Sequence, residues 1–511
     1  MYLKNLRIPV LTLLFLTFII FMISIKINQD TFVYGLDDPY IHMSMAKHLA
    51  KKFILSVDGY HYASASSSPL WTILLSLFYF LPNKLFYYVP LILNIISQIF
   101  ILILVKQIML KIFNYNIPNI LLILLFLLTP FIPLSFGGME HSLQILLILS
   151  MLYYFLKLLN DDKNLHVKII MLILAPFVVF IRYENFAYIF MIAVIIVFYL
   201  KDYKFAWIFL ISSLFFVFLF GMWSIYLGLG FFPNSIMAKS IIGNQFDIVI
   251  IKNILENLVR QLSLGIHIDI LLLINIYILF KTKDKQLFIL SLIFIGTTLI
   301  HASFAQFGWF YRYEAYLVIL GVMNIFIFLY INQNIKSWRL FLIYFLLIFF
   351  FILHLLSPVF TIYATKNIYE QQFQMANFLR KYKNHANIAA NDIGAITYFT
   401  NVKLLDLVGL GSYEVLKLKK SGNFNNDSVL KLLLNNNIEL ILVYDHWFPQ
   451  ISFENSYFKK IGEWKINYNL VTGGSTVSFY SRNDVIDLNK QILKEYSEKE
   501  LPKTVQYKII D

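Results

Sequence analysis

The stretch PLWTILLSLFYFLP, residues 69–82, decides how the rest of the chain is arranged. Its apolar part, Leu70 to Leu81, is about 12 residues long, whereas an α-helix needs ~20 to cross the hydrocarbon core of a bilayer. Prolines bracket it at both ends. Around it lie apolar segments of spanning length, near 8–28, 85–105, 118–135, 139–158, 166–181, 184–200, 205–228, 265–280, 286–304, 313–331 and 338–357. Suppose the short run does not cross and the N-terminus is cytoplasmic. The loops carrying Lys106 and Lys111, Lys163 and Lys168, Lys201 and Lys204, Lys281, Lys283 and Lys285, and Lys336 with Arg339 then all face the cytoplasm. If the run crossed, each of these basic loops would face outward, against the bias that keeps Lys and Arg inside. The expectation is a juxtamembrane or re-entrant helix at Pro69–Leu81, about 11 spans, and a C-terminal end outside.

Composition agrees with a membrane protein. The 511 residues are 59% hydrophobic and only 14% charged, where a soluble domain carries about 25% charge. The 50 Phe and 33 Tyr suit lipid-facing helices and interfacial belts. A net charge of +13 would fit a nucleic-acid partner, but most of the Lys and Arg sit in short loops between apolar runs, where they set topology. No nucleic acid is expected. The absence of Cys excludes a disulfide framework and a thiolate metal site. The run at 8–28, behind Lys4 and Arg7, is long for a signal-peptide core and lacks a small-residue cleavage site, so it reads as a retained anchor.

From Pro358 onward the sequence turns polar and amphipathic. Lys366–Lys383 reads as a helix, Ile388–Ala390, Lys403–Leu407, Glu439–Tyr444 and Thr476–Tyr480 as strands, with a helical stretch near Ser428–Leu434. Strands alternating with helices predict a small α/β domain. The fold class expected is an α-helical polytopic membrane protein, residues 1–357, with a C-terminal extracytoplasmic α/β domain, residues 358–511. Juxtamembrane helices are expected in the first outer loop, residues 29–84.

On this topology polar residues gather at the outer ends of the spans. The first outer loop carries Asp37, Asp38, His42, Asp58 and His61; later ones carry Glu140 and His141, Arg182 and Glu184, Asn234 with Lys239, and Tyr311 with Arg312. Polar groups near a bilayer are costly and tend to mark function. Each also has a plainer role. Asp38-Pro39 reads as an N-cap with proline at the first helical position. Ile41, Met45, Leu49 and Phe53 follow at helical spacing, predicting an amphipathic helix lying on the membrane. A cap needs one carboxylate, which leaves Asp37 free. Glu140-His141 could complement a helix dipole, Arg182 could pair with Glu184, Arg312 could be an interfacial anchor, and His301 reads as a satisfied interface histidine.

A carboxylate outside the membrane can act as general base on an acceptor hydroxyl. Arginine and lysine at the interface can hold a lipid-linked phosphate and stabilise the charge it gains on leaving. Together these describe glycosyl transfer from a polyprenyl-phosphate sugar.

At the level of motifs, the first loop resembles the GT-C superfamily of membrane glycosyltransferases, which includes protein O-mannosyltransferases, aminoarabinose transferases and oligosaccharyltransferase catalytic subunits. The series Asp37-Asp38-Pro39-Tyr40-Ile41, Ser67-Ser68-Pro69-Leu70-Trp71-Thr72, Gly138-Met139-Glu140, Arg182-Tyr183-Glu184 and Pro233-Asn234 resembles bacterial enzymes of the mycobacterial terminal arabinofuranosyltransferase type. Asn391-Asp392-Ile393-Gly394-Ala395-Ile396 and Leu404-Leu405-Asp406-Leu407-Val408-Gly409-Leu410 resemble the outer domain of that group. The resemblance implies an inverting-type transfer of one sugar from a polyprenyl-phosphate carrier to an envelope glycan, lipid-linked glycan or protein. It would occur at the outer face of a bacterial cytoplasmic membrane. It makes Asp37 the base, with Asp38 behind it, and puts Arg182, Lys239 and Arg312 forward for the donor phosphate. Some members use a divalent metal and others none; Asp38, Glu140 and His141 could hold Mg, Mn or Ca. Two alternatives stay open, an envelope polymerase or ligase using lipid-pyrophosphate substrates, and a transporter or flippase.

Overall fold

The structure, a computed structural model, describes residues 6–239, 248–332 and 337–510. Lys4, before the expected anchor, and Lys336, in one of the basic loops, lie outside the described residues. Helix α1 (Arg7–Ile27) exposes Leu11, Phe15, Phe18 and Met22 and buries Leu13, Thr17, Ile20 and Ser24, two stripes at three- and four-residue spacing. A helix whose exposed stripe is apolar belongs in lipid rather than water. Among the described residues six helices are long and apolar enough to cross a membrane, or up to seven if a pair bent by 98° at Gly265 is one span. The chain is a multi-pass membrane protein. Three further apolar helices, Asn119–Leu128, Leu165–Ile181 and Ala315–Ile331, fall short of that length, so the expected count of about 11 is not reached on length alone.

The first outer loop forms α2 (Asp38–Lys52) and α3 (Pro69–Ser76). At 1.5 Å per residue the eight residues of α3 reach roughly 12 Å, far too short to cross. The Ser68 side chain accepts from the Trp71 amide and starts the helix, and proline follows at its first turn. α2 corrects the expectation of a helix lying on the membrane. Pro39 through Ala46 are buried without interruption, because α3 packs on one side and the helix Gly394–Phe399 of the C-terminal region on another. Its start is fixed by tyrosines: Tyr40 Oη accepts from the Tyr34 amide and lies 2.9 Å from Tyr87 Oη.

A continuous helical run, Ser357–Ile368, a π-helical turn at Tyr369–Phe373, and Gln374–Tyr382, leads into a six-stranded mixed sheet. Its strands are β1 (Asn387–Ala390), β2 (Lys403–Asp406), β3 (Leu440–Val443), β4 (Phe458–Ile466), β5 (Thr476–Arg482) and β6 (Val505–Ile509), in the order β2-β1-β3-β5-β4-β6. β2, β1 and β3 are parallel and the rest antiparallel. The parallel strands are short apolar runs covered on both faces, as parallel sheets require. β4, β6 and the helix Ile486–Lys499 were not anticipated; β4 breaks its alternation with a register shift between Lys460 and Gly462. The segment that follows the carboxyl end of β1, where open α/β sheets place their sites, meets the start of α2 at Asp37, and the first half of β2 meets Asp58 in the loop after α2.

Candidate active site

The carboxylates of the first loop divide their partners. Asp37 occupies the N-cap position of α2 without capping it. Its Oδ2 accepts from the Gly394 amide at 2.6 Å and its Oδ1 from the Ala395 amide at 2.8 Å, just past the end of β1. Burial, followed by the charge of Asp392, pushes Asp37 above the usual carboxylate range, against the two amide bonds that pull it down. Asp58 joins the same seam, accepting from the Leu404 amide at 3.1 Å, and Asn234 donates to the Leu410 carbonyl at 3.0 Å. These contacts seat the sheet on the membrane portion.

Gly394 is needed for that seat. A Cβ there would stand 2.1 Å from the Asp37 carbonyl oxygen. We expect Gly394→Ala to weaken docking by about 1–3 kcal/mol, the range for overpacking a close contact. Limited proteolysis should then release the C-terminal region far faster than in wild type; an unchanged digestion pattern would refute the role of this seam.

Asp38 faces elsewhere. Its Oδ2 lies 2.6 Å from Arg312 Nη1, and its side chain is 36% exposed while that of Arg312 is 4%. Beside them one guanidinium spans two acids: Arg182 Nη1 donates to Glu140 Oε1 at 2.9 Å and Nε to Glu184 Oε1 at 2.6 Å. Nη1 also reaches Ser67 Oγ at 3.2 Å. Burial would raise Glu140, but His141 and His42, which charge only at low pH, and the permanently charged Arg182 hold it down at about 2. His42 Nε2 lies 3.8 Å from Glu140 Oε2, and its Nδ1 meets Ser66 Oγ at 2.9 Å and Thr72 Oγ1 at 3.2 Å. Burial lowers the His42 pKa, so the ring is neutral at pH 7. The Tyr313 ring lies between both arginines, 5.5 Å from the Arg182 guanidinium carbon and 4.9 Å from that of Arg312.

Side chains inside the bundle aim these ends. Asn94 donates to the Met139 carbonyl at 2.9 Å, directly before Glu140. Gln144 receives His141 Nδ1 at 3.1 Å and donates to Asn185 Oδ1 at 2.7 Å, tying the Glu140 turn to the Arg182 turn. Gly138, at φ +62°, leaves no room for a Cβ between Tyr34 and Pro39.

Of the residues singled out in sequence, Asp38, Glu140, His141, Arg182, Glu184 and Arg312 are brought together. Asn234 lies at the docking seam, and Lys239 ends the helix Asn234–Lys239 with its side chain outside the described residues. Tyr311 turns away, donating to the Leu353 carbonyl at 3.2 Å; Tyr313 takes the place expected for it. His301 is satisfied at both ring nitrogens, by Tyr316 Oη and the Gln306 carbonyl. Sequence reasoning missed Asn94 and Gln144, because nothing in their local pattern marks them, and it put Tyr311 forward where the stretch Phe307–Glu314 also offers Tyr313.

At Asp38, Glu140 and His141, the set named for a divalent ion, Arg312 and Arg182 pair with the two carboxylates, while Glu140 Oε2 and His141 Nε2 are buried without a hydrogen-bond partner.

The family described as a domain of unknown function (DUF8728) matches residues 366–488. No curated protein matches the chain in sequence. Among solved structures, the chain is similar to the Archaeoglobus fulgidus oligosaccharyltransferase in its apo form, at 11% identity, 90% of this chain, 74% of that one and a TM-score of 0.48. It is also similar to that enzyme in complex with Zn and sulfate, at 10% identity, 90% and 73% coverage and a TM-score of 0.47. The same holds for the archaeal enzyme in complex with an inhibitory peptide and a dolichol-phosphate, at 11% identity, 96% and 75% coverage and a TM-score of 0.46.

Proposed function

We propose that this chain is a membrane glycosyltransferase of the GT-C kind, moving a sugar from a polyprenyl-phosphate carrier to an acceptor hydroxyl outside the cytoplasmic membrane. The observation that carries the reading is the Asp38–Arg312 pair, a part-exposed carboxylate against a buried guanidinium among the ends of four polar turns. On this reading Asp38, rather than Asp37, is the base. Asp37 holds the α/β region in place and has both oxygens committed.

The lipid-linked phosphate binds at Arg312 and displaces Asp38 from it. The acceptor oxygen then attacks the anomeric carbon while Asp38 takes its proton. The bond from that carbon to the phosphate oxygen breaks, the electron pair leaves with the polyprenyl phosphate, and Arg312 stabilises the added charge. Attack from the side opposite the leaving group inverts the anomeric centre. Arg182, spent on Glu140 and Glu184, builds the floor on which Tyr313 and Arg312 rest.

Mass spectrometry of envelope glycans from a deletion strain tests this. One sugar unit should disappear, returning with the wild-type gene and not with Asp38→Asn. Unchanged glycans in the deletion strain would refute the proposal.

A further inference from the structure

Behind the turn that presents Arg312, two histidines and a glutamate from three elements meet. His267 stands at the start of the helix Ile266–Lys281, Glu314 is the N-cap of Ala315–Ile331, and His354 lies in Ile352–Leu355. One ligand atom from each lies within 4.8 Å of the others. His267 Nε2 is 3.5 Å from Glu314 Oε1. Glu314 Oε2 is taken by the Gly308 amide at 2.7 Å. His354 Nδ1 is 2.7 Å from the Leu128 carbonyl, which can only accept. The ring proton therefore sits on Nδ1, and Nε2 carries a lone pair. That Nε2 is buried without a hydrogen-bond partner in a residue 3% exposed, and His267 Nε2 is buried with the long contact to Glu314.

An ion pair between His267 and Glu314 would account for one long contact and leave the His354 lone pair facing nothing. A buried polar atom without a partner is costly. A metal ion answers all three groups at once, and the Leu128 carbonyl is the outer partner that metal-bound histidines characteristically have.

We propose that His267, Glu314 and His354 bind one divalent transition ion of the zinc class. Two imidazoles and one carboxylate suit such an ion, whereas Mg and Ca ask for six or more oxygens. Ligand atoms around zinc stand roughly 3.3 Å apart at bond lengths of about 2.0–2.2 Å, so the three need only close in slightly. The ion would pin the turn between Gly308 and Glu314 to the ends of two other helices. That turn includes Trp309, Phe310 and Tyr311, all in left-handed backbone at φ 49°, 61° and 62°, a conformation that non-glycine residues hold only when their surroundings impose it. The site therefore positions Arg312 and does not itself touch the sugar.

The test uses the full-length protein in detergent, stripped with chelator, exposed to micromolar Zn²⁺ and desalted. Wild type should retain about one equivalent and melt higher with Zn²⁺ than without. His267→Asn with His354→Gln should retain none and show no thermal response. Co²⁺ soaked into wild type should give the intense visible bands of a low-coordinate nitrogen-ligated centre, a readout that needs no variant to fold. Retention by the double variant, no retention by wild type, or a weak octahedral Co²⁺ spectrum would each overturn the proposal.

Discussion

Arg182→Ala is expected to destabilise the protein by about 3–5 kcal/mol, the cost of removing one partner from a buried ion pair. Two acids depend on this one guanidinium, and Glu140 has no exposed side-chain surface. Without Arg182, Glu140 must take up a proton or remain charged in a dry setting, and both options cost stability. The first-loop neighbour of Glu140, His42, is neutral at pH 7 and cannot substitute for the guanidinium. Lysine is not an adequate replacement either, because a single ammonium cannot present separate N–H groups to both carboxylates as Nε and Nη1 do. Thermal melting of the purified protein should show Arg182→Ala far below wild type and Arg182→Lys between them. Removing the acids at the same time, with Glu140→Gln and Glu184→Gln, should recover part of the loss. If Arg182→Ala melts with wild type, the buried triad does not support the fold as described.

Asp38→Asn is expected to leave the fold intact and lower transfer by about 10²–10⁴-fold, the span attributed to a positioned general base. Asparagine keeps the shape and can still accept from Arg312, so the change removes mainly the proton-accepting charge. Asp37→Asn should behave differently. It replaces one of two acceptor oxygens with an NH₂ group facing a backbone N–H, so its first effect is looser docking of the sheet, visible as faster proteolysis. Activity measured beside proteolysis separates the two carboxylates. If Asp37→Asn abolishes transfer while leaving docking untouched, the roles assigned here are reversed.

Much of the architecture could be read from run lengths. The short run after Pro69 could not span, and α3 is a single eight-residue piece. Glu140, Arg182 and Arg312 stood out as charges at the ends of apolar segments, where burial makes a charge conspicuous. Who pairs with whom was not legible. The partner of Asp37 is a pair of backbone amides 357 and 358 residues later, and a backbone amide leaves no mark in a sequence. Tyr311 and Tyr313 exchanged places because three successive non-glycine residues turn left-handed, which no local propensity foretells. α2 carried the pattern of a surface helix and is buried because two other elements cover it, a tertiary effect beyond any local window. His267 and His354 lie far apart in the chain without a shared spacing motif, so their meeting with Glu314 emerges only in three dimensions.

The most direct test of Asp38 as the base of a polyprenyl-phosphate sugar transfer is the reaction of the purified protein in a lipid bilayer, with labelled sugars on polyprenyl phosphate and an extract of envelope acceptors. Wild type should move label from a polyprenyl-phosphate sugar, and Asp38→Asn, folded and with its sheet docked, should do so about 10²–10⁴-fold more slowly. Wild-type rates from Asp38→Asn would contradict it, as would transfer only from a nucleotide sugar or a lipid-pyrophosphate donor.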